Sequence, residues 1–384
     1  VSEMNIFDEF KKLYSKNPEI YFSPGRVNII GEHTDYNNGF VMPIAINMGT
    51  FIAIAKNSDS HINVYSKNLN DRFSFNPKNV EKKLENSWQN YIKGTIKTVI
   101  DRSLSKEYSN VDIYIYSNLP FGAGLSSSAS LTTALAYAYN QINKLNLSPL
   151  EITKIAQFVE HKYIGTKCGI MDQMACVFSS KDNATLIDCE NFSYKNIPFN
   201  LNDTYLLICD TNIKHNLAES AYNQRRQDCE SIASFNGLQS LRELTDDSLS
   251  ITNENFSKEK YLLAKHVFTE NNRVLNAANA MQEKDWQKLG QLMYQSHDSL
   301  KNDYKVSCDE LDYLVELSKT FDGVYGARMT GGGFGGSTIH LVKENVLEKY
   351  KDYLEENYFN RFKIKPLFYI SKACNGTHKV VNHN

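Results

Sequence analysis

The sequence predicts a two-domain protein of the α/β (α+β) class. Three observations lead there. The chain has 384 residues, more than a single core of ordinary size holds. Strand-like runs and helical patterns both recur, and VDIYIYSN passes through a glycine turn into the helical stretch ASLTTALAYAYNQINKL. A further strand-like run, TYLLICD, opens a second, largely helical region. The domains are expected at 1–195 and 196–384, packed directly together, because no low-complexity linker separates them.

Taken in order, VSEMNIFDEFKKLYSKN sets Phe7, Phe10 and Tyr14 at helical spacing with charges between them. It lacks the apolar core of a signal peptide. A short apolar run, Val27 to Ile30, breaks at Gly31, and a polar loop leads to a second run from Phe40 to Ile46. Phe51–Ala55 and Ile62–Ser66 extend a strand-rich first third. In the next strand Val111, Ile113 and Ile115 share one face, and Asp112, Tyr114 and Tyr116 the other. Beyond the glycine turn and its helix, a second helix is expected from Pro149 to Tyr163. Thr204–Asp210 reads as a strand. Helical patterns then dominate from Ala218 to Ser318, interrupted by a polar stretch around Thr245 to Asn255. MTGGGFGGSTIHLV places a glycine cluster directly before a strand, and Pro366–Ser371 reads as the last strand.

Composition excludes several classes of function. Apolar residues make up 41% and charged residues 22%, the balance of an ordinary globular protein. A net charge of -2 offers no broad basic field, so no nucleic-acid partner is expected, and any acidic ligand must be held by a few placed groups. No run approaches the roughly 18 apolar residues that span a bilayer, so no membrane partner is expected. The seven cysteines are scattered and form no C-x-x-C pair. That is the pattern of free thiols in a reducing compartment, and a cytoplasmic protein is expected.

PFGAGLSSSASL, Pro120 to Leu131, has the glycines of a phosphate loop but no lysine, so it is not a Walker loop. Gly122, Ala123, Gly124, Leu125, Ser126, Ser127 and Ser128 form a turn between a strand and a helix. The unpaired N–H groups at the start of a helix favour an anion, and the serines add hydroxyls for phosphate oxygens or Mg²⁺. The same stretch also reads as a Ser-capped helix after a glycine turn.

GRVNIIGEHTDYNNG crowds Arg26, Asn28, Glu32, His33, Asp35 and Tyr36 around one short strand and loop. Such donors and acceptors suit a small polyhydroxylated ligand, or else a solvated polar loop. CGIMDQM sets Asp172 among apolar residues, where it needs a partner or a task. It is either a structural acid, capping a helix or paired with Arg26, or a base for an attacking hydroxyl. In the second case Arg26 offsets charge on the phosphoryl group. Glu160, on the preceding helix, is either a solvated helix residue or a carboxylate ligand for Mg²⁺. The five glycines between Gly331 and Gly336 bring no acid or base and are expected to shape the floor of a site or brace the phosphate loop.

Together these segments resemble the small-molecule kinase superfamily of galactokinase, homoserine kinase, mevalonate kinase and phosphomevalonate kinase (GHMP kinases). PFGAGLSSSAS is similar to its phosphate loop and MTGGGFGGST to its C-terminal glycine motif. GRVNIIGEHTDYNNG resembles the galactokinase signature, and CGIMDQ its catalytic-aspartate segment. The resemblance implies a two-domain fold with the active site in the inter-domain cleft. It also implies ATP-dependent phosphorylation of the C1 hydroxyl of α-D-galactose. It casts Asp172 as base and Arg26 as transition-state partner, although Asp172 acting only to orient the hydroxyl stays open. Glu32, His33, Thr34, Asp35, Gly169 and Tyr222 would hold the sugar; Gly122 to Ser128 would wrap ATP; Ser128 and Glu160 would take Mg²⁺. A monomer is expected. A kinase for N-acetylgalactosamine or arabinose, and a non-catalytic galactose and ATP sensor, are the alternatives; the intact serine loop argues against the sensor. Phe121 stands where relatives often have leucine.

Overall fold

The computed structural model describes residues 3–80, 88–105, 107–214 and 218–381. Helix α1 (Glu3–Tyr14) leads into β1 (Glu19–Asn28), β2 (Phe40–Val41), β3 (Pro43–Lys56), β4 (Ile62–Ser66) and β5 (Asp71–Phe75). α2 (Gln89–Arg102) and β6 (Val111–Ser117) follow, then α3 (Ser127–Asn143), α4 (Pro149–Val159), α5 (Met171–Phe178), β7 (Asn183–Asp188) and β8 (Ser193–Pro198). The second half runs β9 (Thr204–Lys214), α6 (Ala218–Phe235), α7 (Asp246–Asn255), α8 (Lys258–Gln282), α9 (Trp286–Ser299) and α10 (Asp309–Lys319). It ends with β10 (Val324–Thr330), β11 (Gly335–Lys343), α11 (Leu347–Phe362), β12 (Leu367–Ser371) and β13 (His378–Lys379).

Among the described residues the strands form three sheets, in the orders β13-β1-β3-β6-β4-β5, β10-β11-β9-β12 and β2-β7-β8. The alternation in β6 does not mark one wet face. Ile113 packs with Ile96 and Leu135 from α2 and α3, while Tyr114 is buried with Ile6 and Phe10 of α1. The second sheet buries Leu207 and Cys209 against α10 and α11. Its other face, with Leu206, Ile208 and Ile339, shares one core with Val27, Ile29 and Ile44 from the first half. Apolar packing, not a tether, joins the halves. β13 crosses back to pair with β1 at Tyr21 and Phe22.

Three sequence expectations need correction. β1 starts well before the apolar run at Val27, and a register shift between Pro24 and Arg26 accommodates Pro24 and Gly25 within the strand. The polar stretch after Thr245 is helical, held by a capping box between Thr245 and Ser248 with Asp246 and Asp247 in its first turn. The glycine cluster does not simply precede a strand; it turns the hairpin between β10 and β11, and β10 had no clear signal of its own.

α9 lies backbone to backbone on β10. A Cβ at Gly290 would stand 1.9 Å from the carbonyl oxygen of Tyr325. Gly290→Ala is expected to lose on the order of 3 kcal/mol through forced separation of helix and strand. A thermal melt reads this directly, and an unchanged midpoint would show the contact to be slack.

Candidate active site

The site forms where β1, the loop after it, the head of α3, α5 and the glycine hairpin converge on a cavity of about 290 Å³. The bulge in β1 aims Arg26 inward. Its Nε and Nη2 donate to Oδ1 and Oδ2 of Asp172 at 2.8 and 3.0 Å, and its Nη1 donates to the carbonyl of Gly124 at 2.8 Å. Asp172 stands in the first turn of α5, and its side chain keeps 26% of its surface exposed to the cavity side against 6% for Arg26. Ser126 also donates to Oδ2 of Asp172, at 2.5 Å.

In the loop from Gly122 to Ser128, which the sequence offers for phosphate, φ is positive at Gly122, Gly124 and Ser126, every second residue, an alternation of the kind found in anion-binding nests. The loop is braced by the hairpin: Ser337 donates to the carbonyl of Ala123 at 2.7 Å. Leu125 points into the core, and its carbonyl takes the Arg26 N–H at 3.2 Å. Ser128 and Glu160 both wall the main cavity. Ser128 also borders a second cavity of about 240 Å³, with Ser127, Ile115, Leu69, Trp88 and Phe121. Its apolar walls suit a flat base, and sequence reasoning missed it because its residues are drawn singly from distant segments.

The loop after β1 is more internally bonded than its composition implies. Glu32 is buried; its Oε1 accepts from Gly331 N at 2.8 Å and from Arg328 Nη1 at 3.3 Å. Burial pushes the Glu32 carboxyl up, and Arg328 and Arg26 pull against that. Arg328, fully buried in β10, escaped sequence reading; a lone arginine inside the apolar run VYGARMT is the signal that could have exposed it.

His33 lines the cavity, but both ring nitrogens are engaged. Nε2 lies 3.0 Å from the Gly332 carbonyl, which can only accept, so Nε2 carries the proton. Nδ1 therefore accepts from Tyr36 at 2.7 Å, Tyr36 from Tyr304 at 2.7 Å, and Tyr304 from the Cys229 thiol at 3.2 Å. Burial, helped by His266, drives the His33 pKa down to about 3, so the ring is neutral. Thr34 does not border the cavity; its hydroxyl is turned to the carbonyls of Phe40 and Gly31.

Asp35 and Tyr222 do border it. Asp35 accepts from Tyr36 N at 2.9 Å, and burial followed by the charge of Asp172 raises its pKa to about 6. Gly169 acts by absence: a Cβ there would sit 1.9 Å from Asp35 Oδ2. The Tyr222 ring lies 5.4 Å from that of His33 and closes the cavity from the second half.

The class to which this arrangement belongs is that of the GHMP small-molecule kinases. Residues 90–180 match the GHMP kinases N terminal domain and residues 277–360 the GHMP kinases C terminal family. Residues 8–56 match the galactokinase galactose-binding signature. Galactokinase from Thermosipho africanus (strain TCF52B) is 41% identical over 358 residues, 93% of this chain and 99% of that protein. Galactokinase from Roseiflexus sp. (strain RS-1) is 37% identical over 382 residues, 98% of this chain and 97% of that protein. The crystal structure of Lactococcus lactis galactokinase complexed with galactose matches with a TM-score of 0.93 at 34% identity, covering 98% of this chain and 99% of that one. The chain belongs to the galactokinase family, and it is an enzyme that phosphorylates galactose with ATP.

The raised pKa of Asp35 has a stability consequence. Between its unfolded value near 3.8 and about 6 the folded state binds more protons, so stability falls as pH rises through that window. Above it the cost is constant, on the order of 3 kcal/mol. Ligand-free Asp35→Asn is expected to melt several degrees above the parent at pH 7.5 and level with it near pH 4. Equal gains at both values would mean that burial of Asp35 is not the source.

Proposed function

We propose that the acceptor is the C1 hydroxyl of galactose and that it meets Asp172, with Arg26 as partner of the transferring phosphoryl group. The observation that carries this reading is the single guanidinium held between Asp172 and the Gly124 carbonyl. It ties the acceptor side of the reaction to the phosphate side. Phosphoryl transfer asks the protein mainly for in-line placement and charge stabilisation, and a buried, rigid cation beside the phosphate loop supplies both. Asp172 takes three hydrogen bonds from protein, which leaves acceptor capacity for one more hydroxyl. Whether it removes the proton or holds it in line is separable by experiment.

On the sugar side, Asp35 and Glu32 offer carboxylate oxygens and Tyr222 a wall. His33 is read as a brace for the hairpin, and Thr34 as a brace for its own loop. ATP lays its phosphates at the head of α3 and its base in the cavity bordered by Trp88 and Phe121. Ser128 and Glu160 both wall the main cavity with hard oxygen donors, the kind that Mg²⁺ prefers, and would hold it there. When bound, the ion would offset the charge on the ATP phosphates. A monomer is part of the same reading. All seven cysteines are free thiols, in keeping with a cytoplasmic setting. The division expected at 195/196 falls inside β8 (Ser193–Pro198), so this reading moves the cut to the 199–203 segment that follows.

The test is ADP release with Mg²⁺, ATP and galactose, beside glucose, N-acetylgalactosamine, arabinose and no sugar. Fast release with galactose alone is expected, falling by roughly a thousandfold or more in Asp172→Ala. Retention of full turnover by that variant would remove Asp172 from the mechanism. The pH dependence gives a second check. Ionised Asp35 accepts sugar hydroxyls, so the KM for galactose is expected to rise as pH is lowered through about 6. In Asp35→Asn it should be high and flat. A parent KM that ignores this window would take Asp35 out of sugar binding.

A further inference from the structure

Ser126 occupies a place that suits another residue. Its backbone is left-handed, with φ 61° and ψ 45°, where glycine is at ease and a side chain is strained. It also stands at the N-cap of α3, where a serine oxygen ordinarily accepts from the first free N–H groups of the helix, yet it makes no such bond. The hydroxyl instead donates to Oδ2 of Asp172 at 2.5 Å. One contact accounts for both the strained backbone and the missing cap.

We propose that Ser126 is a positioning residue for Asp172, and that its hydroxyl serves this carboxylate and not the phosphates of ATP. The inference rests on the reading of Asp172 as the group that meets the sugar. Arg26 holds the plane of the carboxylate through two nearly parallel bonds, and Ser126 fixes it from the side of the phosphate loop. Oδ2 then carries two donors and Oδ1 one, so Oδ1 is the oxygen with more capacity left for an incoming hydroxyl. Ser126 heads α3 and so ties the phosphate loop to the acid on which the acceptor depends.

Two substitutions separate this role from a structural one. Ser126→Gly removes the hydroxyl and relaxes the backbone; Ser126→Thr keeps the hydroxyl and adds a methyl group in a strained position. Steady-state kinetics, ATP affinity by calorimetry and thermal melts are compared with those of Asp172→Ala. Ser126→Gly is expected to melt at or above wild type and to lose roughly ten- to a hundredfold in kcat. Its KM for galactose and its affinity for ATP should stay close to wild type. Ser126→Thr is expected to melt lower yet turn over faster than Ser126→Gly, so that stability and rate move in opposite directions. Wild-type kcat in Ser126→Gly beside an inactive Asp172→Ala overturns this proposal alone. Collapse of ATP affinity in Ser126→Gly also overturns it, by assigning the hydroxyl to the phosphates. Undiminished turnover in Asp172→Ala overturns the reading of Asp172 and this inference with it.

Discussion

The Arg26 guanidinium is the junction on which the site depends. It donates to both oxygens of Asp172 and to the carbonyl of Gly124, so β1, α5 and the phosphate loop meet on one planar group. A buried ion pair is a weak source of stability, because desolvating two charges cancels much of their attraction. Its worth here is positional. A bidentate pair fixes direction as well as distance, and lysine could not reproduce it, having a single point charge on a flexible stem. The bulge between Pro24 and Arg26 is what lets an interior strand present that group.

A second set of contacts fastens the other half of the molecule to this junction, through backbone. The Gly331 N–H goes to Glu32 and the Gly332 carbonyl takes the His33 proton, while Phe334 N, donating to the carbonyl of Val306, anchors the hairpin within its own half. The hairpin can be held in this way because it has few side chains to interpose. A Cβ at Gly331 would come within 3.1 Å of the Gly124 carbonyl. Hairpin and phosphate loop are therefore in backbone contact, and the glycine run is a matter of approach distance. The Cys229–Tyr304–Tyr36–His33 chain extends this hold into the core of the second half, each hydroxyl oriented by the next donor.

What the sequence made legible was the chemistry that recurs in compact motifs. The strand, glycine turn and serine-headed helix could be read from period and breakers, Asp172 stood out as a charge among apolar neighbours, and Arg26 as part of a crowded polar segment. Partners separated by hundreds of positions could not be read. Arg328 stands out as a lone charge in an apolar run, but nothing near it in sequence names Glu32 as its partner, and Glu270, which takes Gly31 N at 3.0 Å, looks like any helix glutamate. Hydroxyl direction was equally hidden. Ser126, Ser127 and Ser128 are adjacent and chemically alike, but one turns to Asp172, one to the second cavity alone, and one borders both cavities. The polar helix α7 was missed because its capping, not an apolar stripe, defines it.

The charges around the cavity are unevenly compensated, and that unevenness bears on selectivity. Asp172 has Arg26 and Glu32 has Arg328, but Asp35 is supported by the N–H of Tyr36 and faces the negative charge of Asp172. The empty protein resists its ionisation, as it does that of Glu32, but at Asp35 backbone N–H groups and not an arginine offset the cost. A sugar hydroxyl donated to Asp35 supplies what the fold withholds. A ligand without that hydroxyl displaces water and leaves the carboxylate poorer than before. The penalty in the empty state and discrimination in the filled state thus arise from one cause. Gly169, whose lack of a side chain lets Asp35 sit so deep, belongs to the specificity of the site although it offers no polar side chain of its own.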